Sequence, residues 1–255
     1  MRVLSFMKRF LTYLTLLAAC LTAVAANFAD ETLHYKVMFK WGLINKQAGT
    51  VAINLTNTPD QYVGRLTAKS ASWADKFYRV RDTLNCRINK EGFESVFYEK
   101  ISHEGNEDKH DVVRYRRQDA TVFGDCSRLV KKDGKITKDE KRTLAATGTT
   151  VDMLTAFYYM RSLPFDQWQS GHVVTINIFS GKRKELLTIK YLGTETVKYD
   201  GKSYPCYHIS FIFTSDGRKK TSDDMDAWIS TSHDRIPVKL EGKLPVGKVR
   251  CFYTG

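Results

Sequence analysis

The chain has 255 residues, with 40 Lys+Arg against 28 Asp+Glu (formal charge +12), 42% hydrophobic and 12% aromatic residues. That length supports a full core, and that balance excludes a disordered tail, a collagen-like repeat and a multi-span membrane protein. What remains is a basic, aromatic-rich folded domain whose composition names no chemistry.

Residues 1–26 read as an export signal. Arg2, Lys8 and Arg9 form a positive start, Phe10 to Thr22 carry no charge, and Ala23-Val24-Ala25-Ala26 offers small residues for cleavage. The apolar run is shorter than the ~20 residues a stable anchor needs. Leu17-Ala18-Ala19-Cys20 also fits a bacterial lipobox, which makes an outer-membrane lipoprotein through Cys20 the minority reading. Leu21 to Ala26 stay small and apolar where a polar tether would begin, so cleavage after Ala25 or Ala26 is preferred. Residues 27–255 are then a single exported β domain, expected in the periplasm, with 37 Lys+Arg against 28 Asp+Glu, or +9.

Leu33, Tyr35, Val37, Phe39 and Trp41 alternate with polar and long side chains, the period of a half-buried strand. Val51, Ile53 and Leu55 continue it as a hairpin, Asn57-Thr58-Pro59-Asp60 is a turn, and a third strand begins at Tyr62. Further strands are expected at 80–88, 93–101 and 111–117, with Ser102 to Lys109 as a polar loop. In the second half they are expected at 172–179, 185–193, 194–199, 204–214, 224–230, 236–242 and 247–253. Asp200-Gly201 and Asp216-Gly217 carry hairpin-turn chemistry. The stretch 127–147 is nearly half charged and reads as a solvated loop or irregular hairpin.

Two segments break the alternation. Ser72 to Tyr78 suits one or two helical turns with Ser72 as N-cap. Thr150 to Leu163 is the main helix, capped by Thr149 or Thr150, with Asp152 in its first turn and Pro164 stopping it. Met153, Phe157 and Met160 form its apolar stripe, widened by Leu154 and Tyr158. The fold class expected is mainly β: an antiparallel curved sheet or half-open barrel of about 12 strands, with one helix near 150–163 packed against it.

A set of landmarks runs along the chain. They are Tyr35-x5-Trp41-Gly42, Arg81-Asp82 with Glu104-Gly105, Asp152-Met153-Leu154 through Tyr158-Tyr159-Met160-Arg161, and Tyr191-x-Gly193-x-Glu195. Trp228-Ile229-Ser230, Asp234-Arg235-Ile236-Pro237-Val238 and Leu244-Pro245-Val246-Gly247 complete it. In their order and spacing the chain resembles a family of exported proteins of Gram-negative bacteria, met often in Bacteroides-like organisms, known as domain of unknown function 3108. The resemblance covers essentially the whole mature chain. It implies an envelope location and a mostly antiparallel β fold, and it brings no activity that could be placed on these residues.

Local chemistry is sparse. His103 to Asp111 is rich in metal-ligand types but has no ligand spacing. Asp133 to Glu140 imitates half of a calcium loop, yet Leu129 and Lys131 stand where carboxylates are needed. Asp223, Asp224 and Asp226 stand on a turn and name no acid/base pair. No nucleophile elbow and no phosphate-binding glycine loop occurs, so no catalytic residue, metal or cofactor is expected. Cys86, Cys126, Cys206 and Cys251 remain after the signal, and whether one or two disulfides or none form among them is open.

Lys and Arg are dispersed over outward strand positions in an exported chain, which argues against nucleic acid and favours a lipid or acidic envelope component. An integral outer-membrane barrel is disfavoured by the Thr254-Gly255 end and by those outward cations. Many aromatics (Tyr62, Phe77, Phe93 and Phe213 among them) serve one β domain. Tyr35, Phe39, Trp41, Phe97, Tyr191, Phe211 and Trp228 are the candidates to line an apolar groove if the sheet leaves its interior unfilled. The expected function is therefore non-catalytic binding of a hydrophobic or amphipathic envelope ligand. The alternatives are a scaffold for another envelope protein and a hydrolase of envelope glycan or lipid.

Overall fold

A computed structural model of the protein describes residues 27–215, 224–244 and 247–255. The first half contains β1 (Glu31–Trp41), β2 (Ile44–Asn57), β3 (Gln61–Ser70), β4 (Val80–Asn89), β5 (Glu94–Glu104), β6 (Glu107–Gln118), β7 (Thr121–Lys132) and β8 (Lys135–Thr147). The second contains β9 (Thr150–Val151), β10 (Val173–Phe179), β11 (Lys184–Tyr199), β12 (Lys202–Ser215), β13 (Met225–Ser230), β14 (Pro237–Lys243) and β15 (Lys248–Tyr253). Two helices interrupt them, α1 (Ser72–Asp75) and α2 (Met153–Ser162).

All fifteen strands belong to one sheet, ordered β8-β7-β6-β5-β4-β3-β2-β1-β15-β14-β13-β12-β11-β10-β9. Strands β1 to β8 and β10 to β15 are antiparallel meanders, the short β9 pairs parallel to β10, and the first and last strands join the halves in register, with Tyr35 opposite Tyr253 and Lys40 opposite Lys248. The middle of the chain therefore supplies both free edges of a curved, nearly closed, barrel-like sheet.

The strand count is fifteen rather than about twelve, for local reasons. The charged stretch 127–147 is the second of the two expected forms, a hairpin of β7 and β8 with a bulge near Val130–Lys131, turning at Asp133-Gly134 with both residues at positive φ. β8 is exposed along most of its length, so it never needed an alternating pattern. Ser102 to Lys109 is likewise a tight hairpin through Gly105-Asn106, not a loop. The pieces 185–193 and 194–199 are one strand, β11, with a bulge between Tyr191 and Gly193. Asp200-Gly201 forms the expected turn at positive φ, while Asp216-Gly217 and residues 1–26, with Cys20 and the expected signal, lie outside the described residues.

The helix expectations shift as well. Asp152, not Thr149 or Thr150, caps α2, its side chain accepting from the Leu154 and Thr155 amides. Ala71 rather than Ser72 precedes α1, without a side-chain cap. Of the expected stripe, Met160, Leu154 and Tyr158 are buried while Met153 and Phe157 are half-buried. Leu154, Ala156, Tyr158 and Met160 are buried together, because the helix lies inside the barrel and meets wall on several sides. Leu154 and Tyr158 join the Leu33, Ile53, Leu55 and Ile88 core, while Ala156 and Met160 join Ile176, Leu187, Ile189 and Ile209.

Polar groups pin both ends of α2. At the start, Asp152 is wholly buried and also accepts from Ser95 Oγ at 2.7 Å and Thr155 Oγ1 at 2.6 Å. At the end, the buried Arg161 pairs with Glu31 and donates to the carbonyls of Asp234 (2.7 Å) and Arg235 (3.1 Å). Its guanidinium lies 4.7 Å from the Phe28 ring centre. Near the free edges, side chains replace the ladder: the Phe179 ring meets Val113, stacks on Tyr115 at 5.8 Å, and fills the space over Gly124. A Cβ on Gly124 would stand 2.5 Å from that ring.

Arg161→Met should cost ~3–5 kcal/mol by stranding Glu31 and two carbonyls, and Asp152→Ala ~2 kcal/mol, both read from urea unfolding. Gly124→Val should cost ~1–3 kcal/mol by displacing Phe179 without removing a hydrogen bond.

Candidate functional site

The inner face of β1 carries Leu33, Tyr35, Val37, Phe39 and Trp41 in sequence. Leu33 and Tyr35 are buried beneath α2 and the neighbouring strands. Beyond Tyr35 the side chains of Val37, Phe39 and Trp41 instead line a cavity of about 680 Å³ opening at the barrel end. Ile44, Val51, Ala68 and Val249 supply the rest of the walls, and Trp73, Ala74, Phe77 and Leu244 the rim. The lining is almost entirely apolar and contains no carboxylate, imidazole or thiol among the described residues.

α1 is held over this mouth by a compact polar anchor. Asp75 accepts from Ser70 Oγ and from Arg81 Nη2 at 2.7 Å, and the Val80 amide donates to Ser70 Oγ at 2.8 Å. Arg81, then Ser70, hold the Asp75 carboxyl below its usual range. The Trp73 indole donates to the Gln47 carbonyl at 2.6 Å, and Lys46 lies 4.9 Å from its ring centre.

Beyond Val80 the same inner wall turns polar. Lys100 bridges Asp82 at 3.2 Å and Glu104 at 3.1 Å, Lys109 bridges Glu104 at 3.2 Å and Glu107 at 2.8 Å, and Arg128 holds Asp111 at 2.7 Å. Burial works against ionisation of Glu104, but Lys100 and Lys109 overcome it and hold that carboxyl at about 2. Burial prevails at Asp82, whose carboxyl is raised and whose Oδ1 has no hydrogen-bond partner. None of these charged side chains lines the mouth itself, and Asp82 lines a neighbouring hollow. A separate hollow of about 810 Å³ spans β1 to β5 and is lined by His34, Lys36, Thr50, Thr67, Arg81 and His103.

Of the seven aromatics expected to share a groove, only Phe39 and Trp41 meet in the cavity. Tyr35 lies one step deeper, and burial pushes its phenol up. Tyr191 and Phe211 are core residues around Phe165 and Ile209 on the other half of the barrel. Trp228 lies on the opposite side of β13 from Ala227 and Ile229, stacked on His208 at 4.5 Å, with its indole donating to Glu195 at 3.0 Å. Phe97 faces away from the buried Tyr98 and lies near Arg87 and Arg114. Strand parity decides this: an aromatic one position off faces the opposite side of the sheet. Trp73, Ile44 and Leu244 escaped notice, although Trp73 on α1 and Phe77 just past its end, four residues apart in an exposed segment, carry a signal that could have found Trp73.

The remaining candidate groups are dispersed. His103 pairs with Asp108 at 2.7 Å and His110 with Glu99 at 2.8 Å, on exposed strand positions. Asp226 pairs with His208 at 2.9 Å, while Asp223 lies outside the described residues. Among the described residues no group of three His, Cys, Asp or Glu side chains is placed to hold a metal ion. Among the described residues the cysteines are free: Cys86 on β4, Cys126 on β7, Cys206 on β12 and Cys251 on β15 each face non-cysteine partners across their ladders.

The architecture is that of a barrel-like β protein with a helix in its lumen and an apolar mouth. Its fold is similar to the beta-barrel-like protein of domain of unknown function DUF1849 from Brucella abortus. Against that crystal structure the TM-score is 0.60 at 10% identity, covering 89% of this chain and 96% of that one. The family model "Protein of unknown function (DUF3108)" matches residues 33–253, and the chain belongs to that family. No curated protein matches it. Several residues that carry the likeness have structural work here: Asp152 and Arg161 pin α2, Asp234 and Arg235 receive Arg161, and Glu195 receives Trp228.

Burial pushes the thiols of Cys126, Cys206 and Cys251 up to about 11 from 9.0. Native protein should therefore react with Ellman's reagent at pH 8 far more slowly than urea-unfolded protein. The raised thiols contribute stability that is fully present below pH 9 and lost as pH rises toward 11, read as a falling urea midpoint over that window.

Proposed function

We propose that this protein is an exported, periplasmic envelope protein that holds the apolar part of an amphipathic envelope ligand in the barrel mouth, without catalysis. The mouth itself carries the reading. It is a cavity of about 680 Å³, lined by Val37, Phe39, Trp41, Ile44, Trp73 and Phe77, and within the ~300–1,000 Å³ that small-molecule sites occupy. Farther along the same face, past Val80, the Asp82–Lys100–Glu104 cluster would meet the polar end of a ligand long enough to leave the cavity. The described lining holds no carboxylate, imidazole or thiol, and its Ser70 hydroxyl is engaged by Asp75 and the Val80 amide, which favours carriage over turnover. The uncharged run from Phe10 to Thr22 supports export.

Fluorescence titration with the neutral probe N-phenyl-1-naphthylamine tests the mouth, and native mass spectrometry after gentle extraction tests for a co-purifying lipid. Phe39→Asp, checked for folding by near-UV circular dichroism, should weaken the probe at least about tenfold by placing a carboxylate in an apolar wall. Equal affinity of wild type and variant, or a bare polypeptide that binds no probe, would overturn the reading.

A further inference from the structure

Nine large hydrophobic side chains are exposed among the described residues, and six of them crowd the mouth: Trp41, Leu43, Ile44, Phe77, Tyr78 and Leu244. They come from three separate stretches, the β1–β2 turn, the α1 segment and the turn between β14 and β15. Leu43 is fully exposed and Phe77 is 83% exposed. Scattered surface apolar residues need no explanation, but a rim built from three loops does.

The strand ends and loops around the mouth carry cations. Lys40, Lys46, Lys69, Lys76, Arg79 and Lys243 are all exposed, and none has a carboxylate partner among the described residues. The acids close by are already engaged: Asp75 with Arg81, and Glu241 with Lys239, Lys248 and Arg250. Lysine is depleted at the core of protein–protein interfaces. At a membrane, by contrast, apolar tips enter the headgroup boundary while lysines extend to anionic phosphates.

We infer that the barrel mouth is a membrane-docking face that seats on an anionic phospholipid surface. Leu43, Trp41 and Phe77 enter the acyl boundary, and the surrounding cations contact the headgroups. Neither contribution suffices alone; a weak apolar anchor and a basic patch act together. In that pose the cavity opens directly onto the bilayer, so an acyl chain could pass between the two without crossing water. The inference rests on the same mouth as the proposed ligand site but not on a ligand occupying it.

Leu43 separates the two ideas, because it lies on the rim and does not line the cavity. The test is co-sedimentation of the mature chain with phosphatidylglycerol-containing and pure phosphatidylcholine vesicles, with N-phenyl-1-naphthylamine titrated in parallel. Wild type should bind the anionic vesicles, bind phosphatidylcholine weakly, and be released by salt. Leu43→Asp should lower anionic-vesicle binding at least about tenfold with probe affinity unchanged, and Lys76→Glu roughly fivefold or more. Wild-type binding that Leu43→Asp leaves intact would overturn the inference. So would absence of vesicle binding, including the case of a concentration-dependent dimer that Leu43→Asp dissolves. Vesicle binding without probe binding would instead sink the ligand reading and leave the docking face standing.

Discussion

A sheet of fifteen strands that curls toward closure encloses more volume than wall side chains can fill, since barrel diameter grows with strand number and ~8 strands already leave an interior just wide enough to be packed. Everything distinctive here answers that constraint. One part of the lumen receives α2, whose residues meet both halves of the sheet at once. The other part receives nothing from the described chain and becomes the mouth. A single helix of ten residues thus divides the interior into a solid part and a hollow one.

That division is fixed by polar chemistry inside an apolar space. Asp152 and Arg161 stand at the two ends of α2 and are almost fully buried. Burial is costly for both, and each is met by several partners: hydroxyls and amides for Asp152, a carboxylate and two carbonyls for Arg161. Such groups specify position more sharply than hydrophobic contact alone, because a shifted helix would leave several of them unpaired at once. Arg161 also ties the start of the described chain, through Phe28 and Glu31, to the segment joining β13 and β14. Residues distant in sequence therefore hold one helix in one place.

Much of the sheet was legible because half-buried strands announce themselves by alternation, as in Leu33 to Trp41, and because Asp-Gly turns mark their ends. Strands exposed on both faces carry no such mark, so for β8 the sequence leaves a loop and an irregular hairpin equally open. The site was only partly legible. Phe39 and Trp41 followed from their place on the inner face of β1, but sequence does not reveal how far along the strand the helix reaches, and that limit separates core from cavity. Nor does it reveal parity across a bulge, and the one in β5 turns Phe97 away from the interior, while Trp228 faces outward by plain alternation with Ala227 and Ile229. The apolar residue in the turn, Leu43, was the overlooked sign, since turns normally shed such side chains into polar ones.

The open margins of this sheet have a bearing on how the protein avoids its own kind. An unpaired strand edge offers a row of amides and carbonyls to any other chain, the usual seed of fibrous growth. β9 is two residues long and offers almost nothing to copy. β8 is long, but its exposed run Lys138-Asp139-Glu140-Lys141-Arg142 would force close packing of charged side chains in any stacked repeat. The density of charge that hid β8 as a strand is thus a gatekeeper against aggregation, protecting a barrel that never finishes closing.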